Sequence, residues 1–232
     1  MPSFVRFHRV VLAALFLSSS GASAADSDHY RLDPVHTRVM FAIDHAGFSK
    51  AIGTVSGSTG SLDFDPEHWS DAALRASVPI ARIDLGDVAW NKAVLAGNLL
   101  DAEDHPTAEF VSTRVEPLGT DHAAVHGTLT LHGVSREIVL DVKFNAAKRH
   151  PLPPFRRTVG FSATTTLSRK AFGIDAWPSV IGDAVELRIE AEAIRSRADD
   201  EPDATDAPED ASSPTDAAST GAAPTTTTEP TP

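Results

Sequence analysis

Ten histidines, a plentiful supply of Ser and Asp, and an arginine set in Ser168-Arg169-Lys170-Ala171-Phe172-Gly173-Ile174 are what this 232-residue chain offers for chemistry. His122, His126 and His132 share one strand parity, opposite to Val125, Leu129 and Leu131, and so are expected to face solvent. Four strand residues span ~13 Å, so these three are also spaced too widely to chelate one ion as neighbours. His45 differs, because it shares parity with Phe41 and Ile43 and faces inward. It is either a hydrogen-bonded core histidine or a polar contact for a ligand headgroup. Arg169 closes a strand, as a surface or rim cation or as an anion-binding one. The chain has no G-x-S-x-G elbow, no H-E-x-x-H, no P-loop and no G-x-G-x-x-G. It also has no cysteine, hence neither thiolate chemistry nor disulfides. These absences lead us to expect a non-enzyme without a cofactor or metal, with an enzyme acting on a lipid or isoprenoid inside the barrel, using His45 with an acid or Arg169, as the alternative.

The elements that would hold these residues are strands. From Tyr30 to Ile194 the dominant hydrophobic period is two, as in Val39-Phe41-Ile43-His45, Gly127-Leu129-Leu131 and Ile138-Leu140-Val142. Eight strands are predicted, near 36–45, 52–64, 72–82, 107–116, 123–132, 136–145, 157–167 and 183–194, separated by turn signals such as Asp65-Pro66 and His132-Gly133. That pattern predicts an all-β antiparallel barrel or sandwich. One segment breaks it. Asp87 is placed to cap a short helix running through Trp90, Val94 and Leu95, with Gly97 ending it and Leu99-Leu100 following. Inward positions are often small (Ala76, Ala108, Ser112, Gly127, Ala163, Thr165, Ala191), which leaves room that Phe41, Phe64, Phe110 and Phe161 would line. A packed structural domain is the competing reading.

The ends differ from the middle. Residues 1–24 carry Arg6 and Arg9, an apolar run from Val10 to Leu17 and then Ala22-Ser23-Ala24, the pattern of a cleavable secretory signal. The apolar run is too short to span a bilayer, and no cysteine stands near the cleavage point to take a lipid. A periplasmic or secreted protein is expected, with residues 25–197 as its domain. From Ala198 the chain has nine acids, no Lys or Arg, and otherwise mainly Ala, Thr, Ser and Pro, the composition of a disordered tail. The signal removes two positive charges and the tail holds nine of the negative ones, so the formal charge of −12 becomes −5 over residues 25–197. That balance argues against nucleic acid, which needs a basic stripe.

The motifs then fall into an ordered set. Tyr30-x-x-Asp33-Pro34-x-His36-Thr37, Phe41-x-Ile43-x-His45-x-Gly47, Gly60-x-Leu62-x-Phe64-Asp65-Pro66, Asp101-Ala102 with His105-Pro106 and Phe110-x-Ser112-Thr113, Gly127-x-Leu129-Thr130-Leu131-His132-Gly133-Val134, and Gly182-Asp183-x-Val185 together resemble the YceI family of exported lipid- and polyisoprenoid-binding proteins. The resemblance covers about residues 30–194 and implies an eight-stranded, lipocalin-like antiparallel barrel with one helical insertion. Its elongated apolar cavity would hold a polyisoprenoid, quinone-like or fatty chain. The chain departs from the family where Ala93 and Ala171 replace usual acids and Leu99-Leu100 replace a usual Phe-Phe pair. Parity and resemblance together assign ligand contact to Phe41, Ile43, His45, Leu95, Leu99, Leu100, Phe110, Leu129, Leu131, Phe161 and Arg169. A homodimer is compatible with all of this.

Overall fold

The computed structural model describes residues 27–196; the expected signal and tail lie outside the described residues. Eleven strands form: β1 (Asp28–Leu32), β2 (Arg38–His45), β3 (Ser49–Ser56), β4 (Thr59–Phe64), β5 (Ala73–Pro79), β6 (Ile83–Asp84), β7 (Thr107–Pro117), β8 (His122–Leu131), β9 (Val134–Arg149), β10 (Arg157–Ser168) and β11 (Ile181–Arg195). A single α-helix, α1 (Val88–Leu95), interrupts them. Strands β1, β4, β5, β7, β8, β9, β10 and β11 pair in that order, and β11 returns to β1, so eight strands close an antiparallel ring. Closure removes the exposed edges that an open sheet would leave. β11 is long enough to serve twice. Its last residues pair with β1, while Val185–Glu190 pair with β2, which carries β3 and β6 as a wing.

The ring has the expected number of strands but not the expected members. The stretch read as one strand over 52–64 breaks at Gly57-Ser58, because β3 pairs with β2 whereas β4 pairs with β1 and β5. The stretch read as 36–45 begins at Arg38 and belongs to the wing. Its place in the ring is taken by β1, five residues that alternation alone did not separate from the loop after them. The strand read over 72–82 ends at Pro79, where a 3-10 turn, Ile80–Arg82, leads into β6.

Alternation does place the faces. Leu129 and Leu131 of β8, Ile138 and Leu140 of β9, and Phe161 and Ala163 of β10 all face inward. Glu137, Asp141, Lys143, Glu186 and Arg188 are exposed on the outer wall. Apolar inside and charged outside is the inverse of a membrane-spanning barrel. Among the described residues no helix is long and apolar enough to cross a membrane. One end of the barrel is plugged by an aromatic cluster in which Phe64, Trp69, Phe144 and Phe161 meet at ring-centroid distances of 5.2 to 5.7 Å. Tyr30 and Val159, both fully buried, pack into the same cluster.

The corner before β2 is held by Asp33. Its Oδ1 accepts from the backbone N–H groups of Val35 (2.8 Å) and His36 (3.2 Å), and its Oδ2 meets His36 Nδ1 at 2.8 Å. That side-chain hydrogen bond, together with the carboxylate's charge, raises the pKa of His36. Burial pushes the Asp33 carboxyl up, but the hydrogen bonds from His36 and the two N–H groups outweigh it and leave the pKa lowered. A histidine whose pKa is raised by folding contributes stability in full below the ordinary value near ~6.5, and that stability is lost as pH rises through the folded-state value. With His36 55% exposed the contribution is below about 1 kcal/mol. Ring-proton NMR is expected to show His36 titrating above a free histidine, and Asp33→Asn to bring it back. Identical titration in both proteins would refute the pairing.

Candidate ligand cavity

The inner faces enclose a cavity of about 550 Å³, within the roughly 300–1,000 Å³ of typical small-molecule pockets. Its wall is almost wholly apolar. Ala76, Ala108, Ala163 and Ala191 contribute methyl groups where larger side chains would fill the space, and Phe41, Phe64, Phe110 and Phe161 supply the rings. Gly127 explains how one ring lies flat. A Cβ at that position would stand 2.4 Å from the Phe110 ring and 2.6 Å from the Val111 carbonyl, so only glycine lets Phe110 cross the β8 backbone.

The lid is built locally. Asp87 caps α1 as expected, its Oδ1 accepting from Ala89 N (2.9 Å) and Trp90 N (3.0 Å). The helix ends at Ala96 rather than at Gly97. The following turn folds back, with the N–H groups of Leu99 and Asp101 donating to Ala96 O, and those of Leu100 and Ala102 to Val94 O and Leu95 O. This turn satisfies helix carbonyls and tucks Leu99 and Leu100 into the cavity wall. Asn91 ties the helix to the wing, accepting from Leu85 N (2.7 Å) and donating to Asp84 Oδ1 (3.0 Å).

Of the residues assigned from sequence, Phe41, Ile43, His45, Leu99, Leu100, Phe110, Leu129, Leu131, Phe161 and Arg169 line the cavity. Leu95 does not. The helix instead presents Trp90, Ala93 and Val94, and Leu95, five residues beyond Trp90, is turned about 140° away from it. Trp90 was the missed signal: the Trp90, Ala93, Val94 spacing of three and four marks one helix face. Trp177 and Val180 from the loop after Gly173, and Ser58 at the wing's corner, also line the cavity and were not assigned.

The two polar candidates behave differently from expectation. His45 is half-buried, makes no side-chain hydrogen bond among the described residues, and packs against Trp90 with ring centroids 5.4 Å apart and planes tilted by 40°. It is therefore a residue of the cavity's mouth rather than a hydrogen-bonded core histidine. Arg169 is not a rim cation. It is 4% exposed, and its Nε, Nη1 and Nη2 donate to the carbonyls of Gly182 (2.8 Å), Ile174 (2.7 Å) and Ile181 (2.9 Å). Its fork spans the two feet of the 174–182 loop, so three of its five N–H groups hold protein carbonyls. Ser168 and Asp183 brace the same corner: Ser168 Oγ donates to Asp183, and Asp183 Oδ1 accepts from Lys170 N at 3.0 Å. The backbone bond from Lys170, then the one from Ser168, lowers the Asp183 pKa. Ser58 is 2% exposed, and its Oγ has no hydrogen-bond partner among the described residues.

Of the outward histidines, His122 and His126 do stand on the outer wall, paired with Asp121 (2.8 Å) and Arg114 (2.8 Å). His132 departs from expectation. The β8–β9 turn puts it at φ +52°, half-buried against other elements instead of in solvent.

A closed antiparallel barrel with a charged exterior, an apolar internal cavity and a helical lid defines the lipocalin-like class of architecture. Within that class the chain belongs to the YceI family, since the YceI-like domain model matches residues 30–193. It is 33% identical over 188 residues to a UPF0312 protein of Ectopseudomonas mendocina, covering 79% of this chain and 97% of that protein, and 32% identical to one of Azotobacter vinelandii at the same coverage. The fold is similar to that of Burkholderia cenocepacia BcnA, with TM-score 0.63 and 22% identity over 69% of this chain and 98% of that one. It is also similar to a polyisoprenoid binding domain from Saccharophagus degradans, with TM-score 0.56 and 13% identity over 73% of this chain and 99% of that one.

Proposed function

We propose that this is an exported binding protein that holds one long apolar chain, a polyisoprenoid, a quinone-like lipid or a fatty chain, inside the barrel. The observation that carries the reading is the roughly 550 Å³ apolar cavity under a lid whose Trp90, like Trp177 of the loop after Gly173, is both exposed and part of the cavity wall. An apolar chain can enter past the two indoles, with Asp44, whose Oδ1 accepts from Gly47 N at 3.1 Å, as the one carboxylate in the wall. Burying an isoprene unit of ~5 carbons at ~0.8 kcal/mol per methylene contributes on the order of 4 kcal/mol before ordering costs. A few units suffice for tight binding. The family membership and the polyisoprenoid binding domain with a similar fold support the same ligand class. The signal-like residues 1–24 support export. The assigned wall residues other than Leu95 are proposed as the contacts, with Trp90, Val94 and Ser58 added and Arg169 as the brace of the mouth. The binding reading is supported over the enzyme alternative by Arg169 committing three N–H groups to carbonyls and by the lack of an acid bonded to His45 among the described residues.

Native mass spectrometry of the protein purified without detergent is expected to show a bound lipid. Delipidated protein is expected to show a thermal shift on adding a polyprenol, an isoprenoid quinone or a fatty acid. An empty protein that none of the three stabilises would overturn the reading. Ser58 sorts the ligands: a chain carrying an oxygen at that depth is expected to bind Ser58→Ala about fivefold more weakly, since a buried hydrogen bond is worth about 1 kcal/mol, whereas a plain hydrocarbon chain loses nothing.

A further inference from the structure

Two of the motifs noted in the sequence, Asp101-Ala102 with His105-Pro106 and Leu131-His132-Gly133, converge outside the cavity wall. Asp101 and His105 lie on the connection between α1 and β7, and His132 lies on the β8–β9 turn. All three are half-buried, and one potential ligand atom from each lies within 4.8 Å of the other two. The two imidazoles meet edge to face, with centroids 5.0 Å apart and planes at 66°.

The backbone prepares this meeting. His105 N–H donates to Asp101 O at 2.8 Å, with Asp101 itself at φ +48°. A Cβ on Gly133 would stand 2.8 Å from His105 Cε1, so the glycine makes room for the ring as well as adopting φ +72°. His132 Nδ1 lies 3.2 Å from the Phe172 carbonyl. A carbonyl can only accept, so Nδ1 carries the proton and Nε2 presents its lone pair, as in histidines oriented to bind metal. The Asp101 carboxylate and the His105 ring make no side-chain hydrogen bond to the described residues. The second grouping of this kind, Asp33, His36 and Glu192, contrasts with it: there His36 is exposed and Asp33 is already satisfied by His36 and two backbone N–H groups.

We propose that Asp101, His105 and His132 bind one divalent transition-metal ion of the zinc class, and that the ion staples the lid connection to the β8–β9 turn. Two imidazoles and a carboxylate suit zinc-class ions and disfavour magnesium or calcium, and three protein ligands leave a fourth position for water. Bonds of ~2.0 Å to a tetrahedral ion set ligand atoms about 3.3 Å apart, so binding draws the two segments together. Leu99 and Leu100 before Asp101, and Leu131 before His132, all line the cavity, which couples the staple to the mouth. Metal binding stands independently of the lipid reading; only the coupling rests on it.

The test uses untagged full-length protein stripped with a chelator, titrated with Co²⁺ by visible absorption and with Zn²⁺ by calorimetry. One ion per chain is expected, weakened at least tenfold in His105→Ala, in His132→Ala and in Asp101→Asn, the last keeping a side chain that tolerates the left-handed backbone. His36→Ala and His122→Ala are expected to leave it unchanged. Zn²⁺ is expected to slow amide exchange over residues 96–106 in the parent protein and not in the three weakened variants. No saturable binding, or binding indifferent to both histidine changes, would overturn the site. Binding without exchange protection would overturn the staple. Lipid uptake measured in chelator tests the cavity separately.

Discussion

Arg169→Met is expected to lower the stability of the barrel by about 3–5 kcal/mol, one of the two largest effects of any single change considered. Methionine replaces the aliphatic stem but offers no donor to the carbonyls of Ile174, Ile181 and Gly182, which the guanidinium now satisfies at 2.7 to 2.9 Å. Each buried carbonyl left without a donor costs about 1–3 kcal/mol, and partial rehydration of the loop recovers some of that. Urea denaturation should show the midpoint falling with little change in slope, and limited proteolysis should open the chain between Ile174 and Gly182. Arg169→Lys should fail to restore stability, because one ammonium cannot span three carbonyls that a planar fork reaches. A methionine variant within about 1 kcal/mol of the parent would show that the loop does not depend on this brace.

Ala163→Trp is expected to leave the fold within about 1 kcal/mol of the parent while weakening lipid uptake at least 100-fold, equivalent to about 2.7 kcal/mol. Ala163 lines the cavity, so the indole occupies space that the ligand would otherwise take. Val159→Trp supplies the contrast. Val159 lies on the same strand and the same face, but it is 0% exposed, within the Tyr30 and Phe64 cluster rather than on the cavity wall. Overpacking there is expected to cost about 1–3 kcal/mol or more. Chemical denaturation and a fluorescent-lipid displacement titration read both variants. If both tryptophans destabilise equally, the interior is packed throughout and the cavity holds nothing.

Outcomes at particular residues show what was legible before the structure. Phe41, Ile43, Phe110, Leu129, Leu131 and Phe161 all line the cavity where the two-residue period put them, because a strand sends alternate side chains to opposite faces whatever its partners are. The Asp87 cap was legible for a similar reason, since its hydrogen bonds reach only two and three residues along the chain. Period does not say which strand pairs with which. β1 could therefore enter the ring, and β2 leave it for the wing, without any change in alternation.

By itself the sequence determined the all-β class, the faces of the strands, the single lid helix and the apolar, small-residue character of the interior, since these follow from local backbone geometry and composition. Only the tertiary structure decided where the polar side chains finish. Arg169 is buried because two loop feet, Ile174 and Ile181-Gly182, turn their carbonyls toward it. His132 leaves solvent because the turn's left-handed backbone aims it at Phe172 and His105. Both outcomes rest on contacts between segments that lie apart in the chain, and a hydrogen-bond partner supplied from a distance leaves no mark on the local pattern of residues.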